Sequence, residues 1–352
     1  MAQDLGICIV GCGMIARFHI KALAEIPGTR VTALVDNVPG APQKLAEETK
    51  VPASCHGDLN EALKKKDVDV VIISTPSGAH MDSAVAAANA GKHVVVEKPL
   101  EITPDRCDTI IDACDKNKTK LCTIFPSRFA DSNATLKAAV EAGRFGRLTL
   151  GETTCKWWRT QEYYDKGGWR GTWKLDGGGA LMNQAVHNVD LLLWLMGPVT
   201  HITGVTATLA HERIEVEDTA VACLRFKNGA LGVIQATTSV HPGYPKTIAI
   251  HGDRGSAVIE QDDVLRWDFA QPSPEDEQIK QRFAQKVGAS GGASDPSAIS
   301  HRGHMLQLSD FVDAIRSNRT PKVDGREGRK AVAAICAIYE AAKTGKAVEM
   351  RS

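Results

Sequence analysis

Between residues 6 and 125, short apolar runs alternate with segments of helical spacing. This alternation constrains the fold more than any other feature of the chain. Gly6–Val10, Val31–Val35, Val68–Ser74, His93–Val96 and Leu121–Phe125 are near-continuous apolar runs. Met14–Ile26, Ala41–Thr49, Gly78–Ala90 and Pro104–Lys116 carry apolar residues at helical spacing. Strands that are apolar on both faces need cover on both faces. The pattern therefore predicts a parallel sheet between two layers of helices.

The texture changes after about residue 145, through Gly143–Arg147. Leu148–Lys156, His201–Ala210, Thr219–Phe226, Ala230–Thr237 and Thr247–His251 read as strands of a mostly antiparallel open sheet. Asn228-Gly229 between two of these runs is a hairpin signal, and Asp253-Arg254-Gly255 marks another turn. One long helix, about Gly178–Leu195, precedes the strands. The expected division of the 352 residues is 1–125 as a dinucleotide-binding α/β domain and 126–352 as an α+β domain. The helical tail, Met305–Ile315 and Gly328–Ala342, is expected to pack back on the first domain. Residues 271–300, rich in Pro, Ser, Gly and mixed charge and including Gly288–Gly292, read as a mobile surface excursion, an insertion or a lid.

Composition excludes several classes of function. The 42 basic residues cancel the 42 acidic ones, so the bulk charge of a nucleic-acid binder is missing. Lys64-Lys65-Lys66 reads as a solvated helix face. Hydrophobic residues make up 43% of the chain, enough for two cores, yet no apolar stretch is long enough to span a membrane. The N-terminal residues lack an export pattern. Nine cysteines, an odd number without a Cys-x-x-Cys pair, suit a reducing cytoplasm and argue against disulfides and a zinc site. Cys8, Cys107, Cys114 and Cys223 sit among apolar residues and read as packed thiols.

Gly11-Cys12-Gly13-Met14-Ile15-Ala16 follows the first strand and opens the first helix, fitting G-x-G-x-x-G/A. Gly11 permits the tight turn, Gly13 lets backbone approach a pyrophosphate, and Ala16 allows close helix–sheet packing. The N–H groups of Met14 and Ile15 open the helix toward phosphate. Asp36 ends the second run about 20 residues on, where a carboxylate binds the adenosine ribose diol. A 2′-phosphate is disfavoured there, so NAD is expected over NADP. Ser74-Thr75-Pro76 ends a strand on the side where such sheets bind ligands, and also suits a helix cap.

Val94-Val95-Val96-Glu97-Lys98-Pro99 is an apolar strand ending in an acid, a base and a proline. A lysine at that end, beside a dinucleotide site, can hydrogen-bond a substrate hydroxyl; a surface Glu–Lys pair is the plainer alternative. Behind Gly177-Gly178-Gly179, Asn183 and His187 stand four apart and so share a helix face, with Asp190 three beyond. The three glycines are expected to leave room for ligand at the helix start. The segment from Trp157 to Trp173 holds four of the six tryptophans, with Arg159, Tyr163, Tyr164 and Arg170 among them. Its aromatic faces can stack on a sugar or pack the sheet, and arginine can grip a carboxylate or phosphate.

On these residues the chain resembles the glucose–fructose oxidoreductase/inositol 2-dehydrogenase/rhizopine catabolism (Gfo/Idh/MocA) family. The resemblance rests on Gly11–Ala16, Thr75-Pro76 with His80, Glu97-Lys98-Pro99, the helix with His187 and Asp190, and Asp310–Ile315 followed by Pro321. It implies an N-terminal Rossmann dinucleotide-binding domain plus a C-terminal α+β domain with a large, mostly antiparallel open sheet. That sheet is expected to build a homo-dimer or homo-tetramer. The resemblance implies that Lys98 hydrogen-bonds the reacting hydroxyl, that Glu97 lies near the nicotinamide ribose, and that His187 accepts the proton. Many members carry Asp where Asn183 stands, so Asn183 is left an orienting role and an aspartate there is expected to keep activity. The resemblance further puts Gly11, Gly13, Met14, Ile15, Asp36, Ser74, Thr75, Pro76, His80, Glu97, Lys98, Arg128, Trp169, Arg170 and Gln184 at NAD. Lys98, Arg128, Tyr163, Lys174, Asn183 and His187 are implied at the substrate, with no metal. The tryptophan-rich run resembles a branch that acts at C3 of a UDP-linked N-acetylglucosaminuronate. The implied activity is NAD-dependent interconversion of a secondary alcohol of a sugar, sugar acid, nucleotide sugar or cyclitol with its ketone. An NAD-dependent glycosidase using transient oxidation, or a non-enzymatic NAD/sugar sensor, are the alternatives.

Overall fold

The computed structural model describes residues 4–166, 168–284 and 300–350. They form two compact units. One holds the residues up to Pro126 with Ser300–Val332, and the other holds those from Ser127 with Ala333 onward.

The first unit alternates strand and helix. Its elements are β1 (Leu5–Val10), α1 (Met14–Ala24), β2 (Thr29–Val35), α2 (Ala41–Thr49), β3 (Ser54–His56), α3 (Leu59–Leu63), β4 (Val70–Ile73), α4 (His80–Asn89), β5 (His93–Val96), α5 (Pro104–Lys116) and β6 (Leu121–Thr123). All six strands run parallel in the order β3-β2-β1-β4-β5-β6. β3 and α3 were not expected from the sequence. Ser-Cys-His is too short and polar to register as a strand, while the brief α3 is started by Asp58, whose side chain accepts from Asn60 N–H.

The second unit comprises α6 (Asp131–Glu141), β7 (Leu148–Lys156), α7 (Gln161–Asp165), a π-helical turn (Ala180–Ala185), α8 (Val186–Met196), β8 (Val199–Ala207), β9 (Thr219–Phe226), β10 (Leu231–Thr237), β11 (Thr247–Gly252), β12 (Gly255–Glu260), β13 (Asp263–Phe269) and α9 (Pro274–Arg282). α10 (Arg302–Arg316), α11 (Gly325–Thr344) and β14 (Val348–Glu349) complete the chain. The eight-stranded sheet runs β13-β12-β11-β7-β10-β9-β8-β14, antiparallel except for the parallel β7–β10 pair. Asn228-Gly229 makes the expected turn between β9 and β10, and Asp253-Arg254 the turn between β11 and β12.

α10 packs in the first unit. Its Leu308, Phe311 and Val312 are buried with Ile20 and Leu23 of α1 and Leu34 of β2. Each such side chain contributes roughly 1.5–3 kcal/mol by burial. The last turns of α11, from Ala333, group with the second unit.

Three expectations need correction. Part of the supposed excursion at 271–300 is helix α9, opened by a Ser273 capping box. Asp276 anchors it, accepting from Arg144 at 2.5 and 2.8 Å and from Trp267 Nε1 at 2.8 Å. Residues 285–299, with Gly288–Gly292, lie outside the described residues. The long helix about 178–195 begins as a π turn, so its register shifts by a residue before α8. Cys223 is exposed on β9, not packed among its apolar neighbours.

Candidate functional site

In the first unit the chain turns sharply between β1 and α1. Gly11 has φ +91°, and a Cβ there would stand 2.6 Å from the Ser74 carbonyl oxygen. Ser74 Oγ donates to the carbonyls of Val10 and Gly11, both at 3.0 Å, so Ser74 braces the turn. Gly13 is the N-cap of α1 without any side-chain cap, and a Cβ on it would meet nothing within 4 Å. Open space therefore faces the first-turn N–H groups of Met14 and Ile15, which have no intrahelical acceptor. Asp36, just past β2, joins this turn: its Oδ2 accepts from Cys12 N–H at 2.7 Å and its Oδ1 from Val38 N–H at 2.9 Å. An open cradle before a helix N-terminus, with a carboxylate at its side, fits a dinucleotide. Thr75 Oγ1 donates to Ala79 O at 3.3 Å, and Pro76 leads into a short 3₁₀ turn.

Glu97 and Lys98 follow β5. Glu97 is turned inward, its side chain buried at the end of β5. Its Oε1 meets His19 Nε2 at 2.8 Å and His304 Nε2 at 3.4 Å, and its Oε2 accepts from Lys98 N–H at 3.1 Å. Burial pushes this carboxyl up, but the two imidazole hydrogen bonds outweigh it and hold the group well below the usual carboxylate range. Burial lowers the pKa of His19. Ligand-type atoms of His19, Glu97 and His304 lie within 4.8 Å of one another. Both Nδ1 atoms lack a hydrogen-bond partner, whereas a metal-bound imidazole needs one for its second N–H. The cluster reads as a hydrogen-bonded triad. Sequence reasoning missed His19 and His304. His19 lies in the buried stripe of α1, a usable signal, while His304 stands some 200 residues away and carries none.

His80 lies buried at the start of α4. Its Nδ1 faces Pro99 O and its Nε2 faces Thr75 O, both at 3.0 Å. Burial lowers the pKa of His80, and the neutral ring, with one N–H, donates to one of these two carbonyls while packed between the loop after β4 and the loop after β5.

The second unit carries Asn183, Gln184 and His187. Asn183 and Gln184 lie in the π turn and His187 in the first turn of α8. Asn183 Nδ2 donates to buried Asp176 Oδ1 at 2.5 Å, and Gln184 Nε2 donates to Asn183 Oδ1 at 2.9 Å and to the Tyr163 hydroxyl at 3.0 Å. Asp176 escaped sequence reasoning because it sits in an irregular loop outside any helical period. Asp190 accepts from Arg128 at 2.8 and 2.6 Å in a buried bidentate pair. That pair engages Nε and Nη2 of Arg128.

The glycine run does not leave room for a ligand. A Cβ at Gly179 would stand 1.8 Å from Glu217 O, and one at Gly178 would stand 2.1 Å from Tyr339 Oη. Glu217 fills the helix start, its carboxylate accepting from Gly179 N–H at 2.9 Å, Leu181 N–H at 2.8 Å and the Tyr339 hydroxyl at 3.0 Å.

The aromatic run divides into buried and open parts. Trp157 is buried, with the Arg159 guanidinium 4.9 Å from its ring centroid. Arg159 is itself buried and donates to Trp158 O at 2.8 Å and Gln184 Oε1 at 3.2 Å. Arg170 lies half-buried, 4.5 Å from the Tyr163 ring centroid and 5.2 Å from that of Trp169. Lys174 is exposed.

A six-stranded parallel sheet with an open glycine turn, a ribose-side carboxylate and a strand-end lysine defines a nicotinamide-dinucleotide oxidoreductase. The profile described as "Oxidoreductase family, NAD-binding Rossmann fold" matches residues 5–125, and the "GFO/IDH/MocA C-terminal domain" matches residues 133–258. The chain belongs to the Gfo/Idh/MocA family of NAD-binding oxidoreductases. It is 35% identical to the WlbA dehydrogenase from Bordetella pertussis, crystallised with NADH and UDP-GlcNAcA. That match has a TM-score of 0.90 and covers 100% of this chain and 99% of that one. It is 29% identical to levoglucosan dehydrogenase of Pseudarthrobacter phenanthrenivorans, over 76% of this chain and 77% of the relative. It is 26% identical to myo-inositol 2-dehydrogenase of Thermotoga maritima, over 93% and 92%. No described helix is long and apolar enough to cross a membrane.

Proposed function

We propose that this oxidoreductase converts a secondary alcohol of a nucleotide-linked uronic sugar to its ketone. The observation that carries the reading is the 35% identity, sustained over the whole chain, to a dehydrogenase crystallised with NADH and UDP-GlcNAcA. The levoglucosan and inositol dehydrogenases match at lower identity.

Bound NAD supplies the hydride acceptor. The turn at Gly11 and Gly13 and the start of α1 hold its pyrophosphate, and Asp36 takes the adenosine ribose. Lys98 meets the reacting hydroxyl with its ammonium group and stabilises the developing alkoxide. His187 accepts the hydroxyl proton, a task that suits an imidazole with a pKa near working pH. Asn183 orients and transfers no proton. Arg170, backed by Tyr163 and Trp169, offers a cation to the acidic part of the substrate.

The test is NADH formation from NAD with UDP-N-acetylglucosaminuronate, myo-inositol and levoglucosan in parallel. The expected result is a kcat/KM for the nucleotide sugar at least roughly a hundredfold above the others, as for about 2.7 kcal/mol of differential binding. Lys98→Met should lower turnover by about a hundredfold or more while leaving NAD affinity nearly intact. Preference for a free cyclitol or anhydrosugar overturns the substrate assignment, and full turnover by the Met variant overturns the role of Lys98.

A further inference from the structure

A buried cation and a buried anion in the second unit are joined by two amides in a fixed order. Arg159 is 3% exposed and Asp176 fully buried. Arg159 Nη2 donates to Gln184 Oε1 at 3.2 Å, Gln184 Nε2 to Asn183 Oδ1 at 2.9 Å, and Asn183 Nδ2 to Asp176 Oδ1 at 2.5 Å. Every donor points the same way, from guanidinium to carboxylate. The far oxygen of Asp176 is held by Gly171 N–H at 2.9 Å, and Gln184 is steadied by the Tyr163 hydroxyl.

This polarity is forced by chemistry. A carboxylate only accepts, so Asn183 must turn its nitrogen to Asp176 and therefore its oxygen to Gln184. Gln184 must then turn its oxygen to Arg159, which only donates. In a low-dielectric interior, such aligned dipoles strengthen one another and spread the two end charges across the chain between them.

We propose that Asp176 is a positioning residue for the reaction, setting the orientation of the Asn183 amide one turn ahead of His187. The inference rests on the reading that Asn183 and His187 serve the reaction. It makes carboxylate 176 and amide 183 one unit. Aspartate at 183, the smallest chemical change there and one the sequence alone would tolerate, brings two buried carboxylates within 2.5 Å in place of a donor and an acceptor. Exchanging both residues returns one carboxylate and one amide to the same space, with the net charge opposite Arg159 restored.

The experiment is a four-cornered cycle of wild type, Asp176→Asn, Asn183→Asp and the double exchange. Its readouts are kcat, KM for NAD, and melting temperature. Each single variant is expected to lose roughly tenfold or more in kcat with KM for NAD unchanged, as for one hydrogen bond to a charged group. The double exchange is expected to recover to within about threefold of wild type, a non-additivity reserved for residues in direct contact. Single variants at wild-type kcat, or a double exchange no better than the worse single, overturn the proposal. Wild-type turnover decides the functional reading separately. If the wild type turns over no sugar substrate, that reading falls and the pairing is judged on the same cycle in melting temperature, where additive losses overturn it.

Discussion

Asp36 shows how one carboxylate can do two things. Its oxygens accept the N–H groups of Cys12 and Val38, fixing the glycine turn that faces the cofactor. On the proposed reading, in which Asp36 takes the adenosine ribose, its charge also opposes an NADP 2′-phosphate. NAD is expected to bind at least tenfold more tightly than NADP, a difference of about 1.4 kcal/mol or more. Titration calorimetry with both dinucleotides measures this, and equal dissociation constants would sink it. Asp36→Ser with Asn37→Arg should erode the preference and also weaken NAD itself, because the shorter side chain gives up the bond to Cys12. At this scale the sequence located residue types but not the directions of their side chains. The glycine turn, Asp36 and Lys98 could be read because each stands at the end of an apolar strand. The inward turn of Glu97, the packing of His80 against Pro99 and the Arg128–Asp190 pair depend on partners from 19 to about 200 residues away, which no local period encodes.

Among the elements, the start of the π turn and α8 holds the clearest pH-dependent feature. Burial pushes the Glu217 carboxyl up to about 7, against the hydrogen bonds from Leu181, Gly179 and Tyr339 that pull it down. A carboxyl whose folded pKa exceeds its unfolded value favours folding only while protonated. Its contribution is therefore full below about pH 4.5 and declines as pH rises toward 7. The loss is on the order of 3 kcal/mol, at 1.36 kcal/mol per unit. Glu217→Gln cannot ionise, so its stability relative to wild type should rise between pH 4.5 and 7.5. The amide also turns an N–H toward one former donor, which costs about 1–3 kcal/mol at every pH. Urea unfolding of both proteins at the two pH values checks this, and parallel pH profiles would show that the carboxyl is ionised throughout. The π turn was invisible to a reading that assumed regular α-helical spacing, and the glycines, read as room for a ligand, instead admit Glu217. β12 and β13 were missed for a related reason. Charged Arg266 and Asp268 interrupt the apolar run of β13, and a bulge at Leu265 breaks the alternation between buried Val264 and Trp267, so no regular period shows.

At the scale of the whole molecule, the outer face of the eight-stranded sheet stands apart from the rest of the surface. Val205 on β8, Val221 on β9 and Leu231 on β10 are 68%, 42% and 51% exposed, and Val205 lies directly across from Val221. The opposite faces of these strands are buried, with Ile202, Ala222, Leu224 and Ile234 inside. Scattered exposed apolar residues need no explanation, but the Val205–Val221 pair continues through exposed Cys223 and half-buried Val233, which pair with each other, to Leu231, forming a patch that water covers poorly. The cross-strand register makes the patch regular, which suits pairing with an identical face on a second copy. The protein is therefore expected to sediment as a dimer or tetramer of its 37.8 kDa chain. Val205→Lys with Val221→Lys should convert it to monomer, because each pairing would bury four ammonium groups without partners. Neither side chain belongs to the core, so the melting temperature at low protein concentration should stay within a few degrees of wild type. Light scattering coupled to gel filtration separates the outcomes. A wild-type monomer would show that this face is free. An unchanged oligomer in the double variant would place the contact elsewhere on the chain.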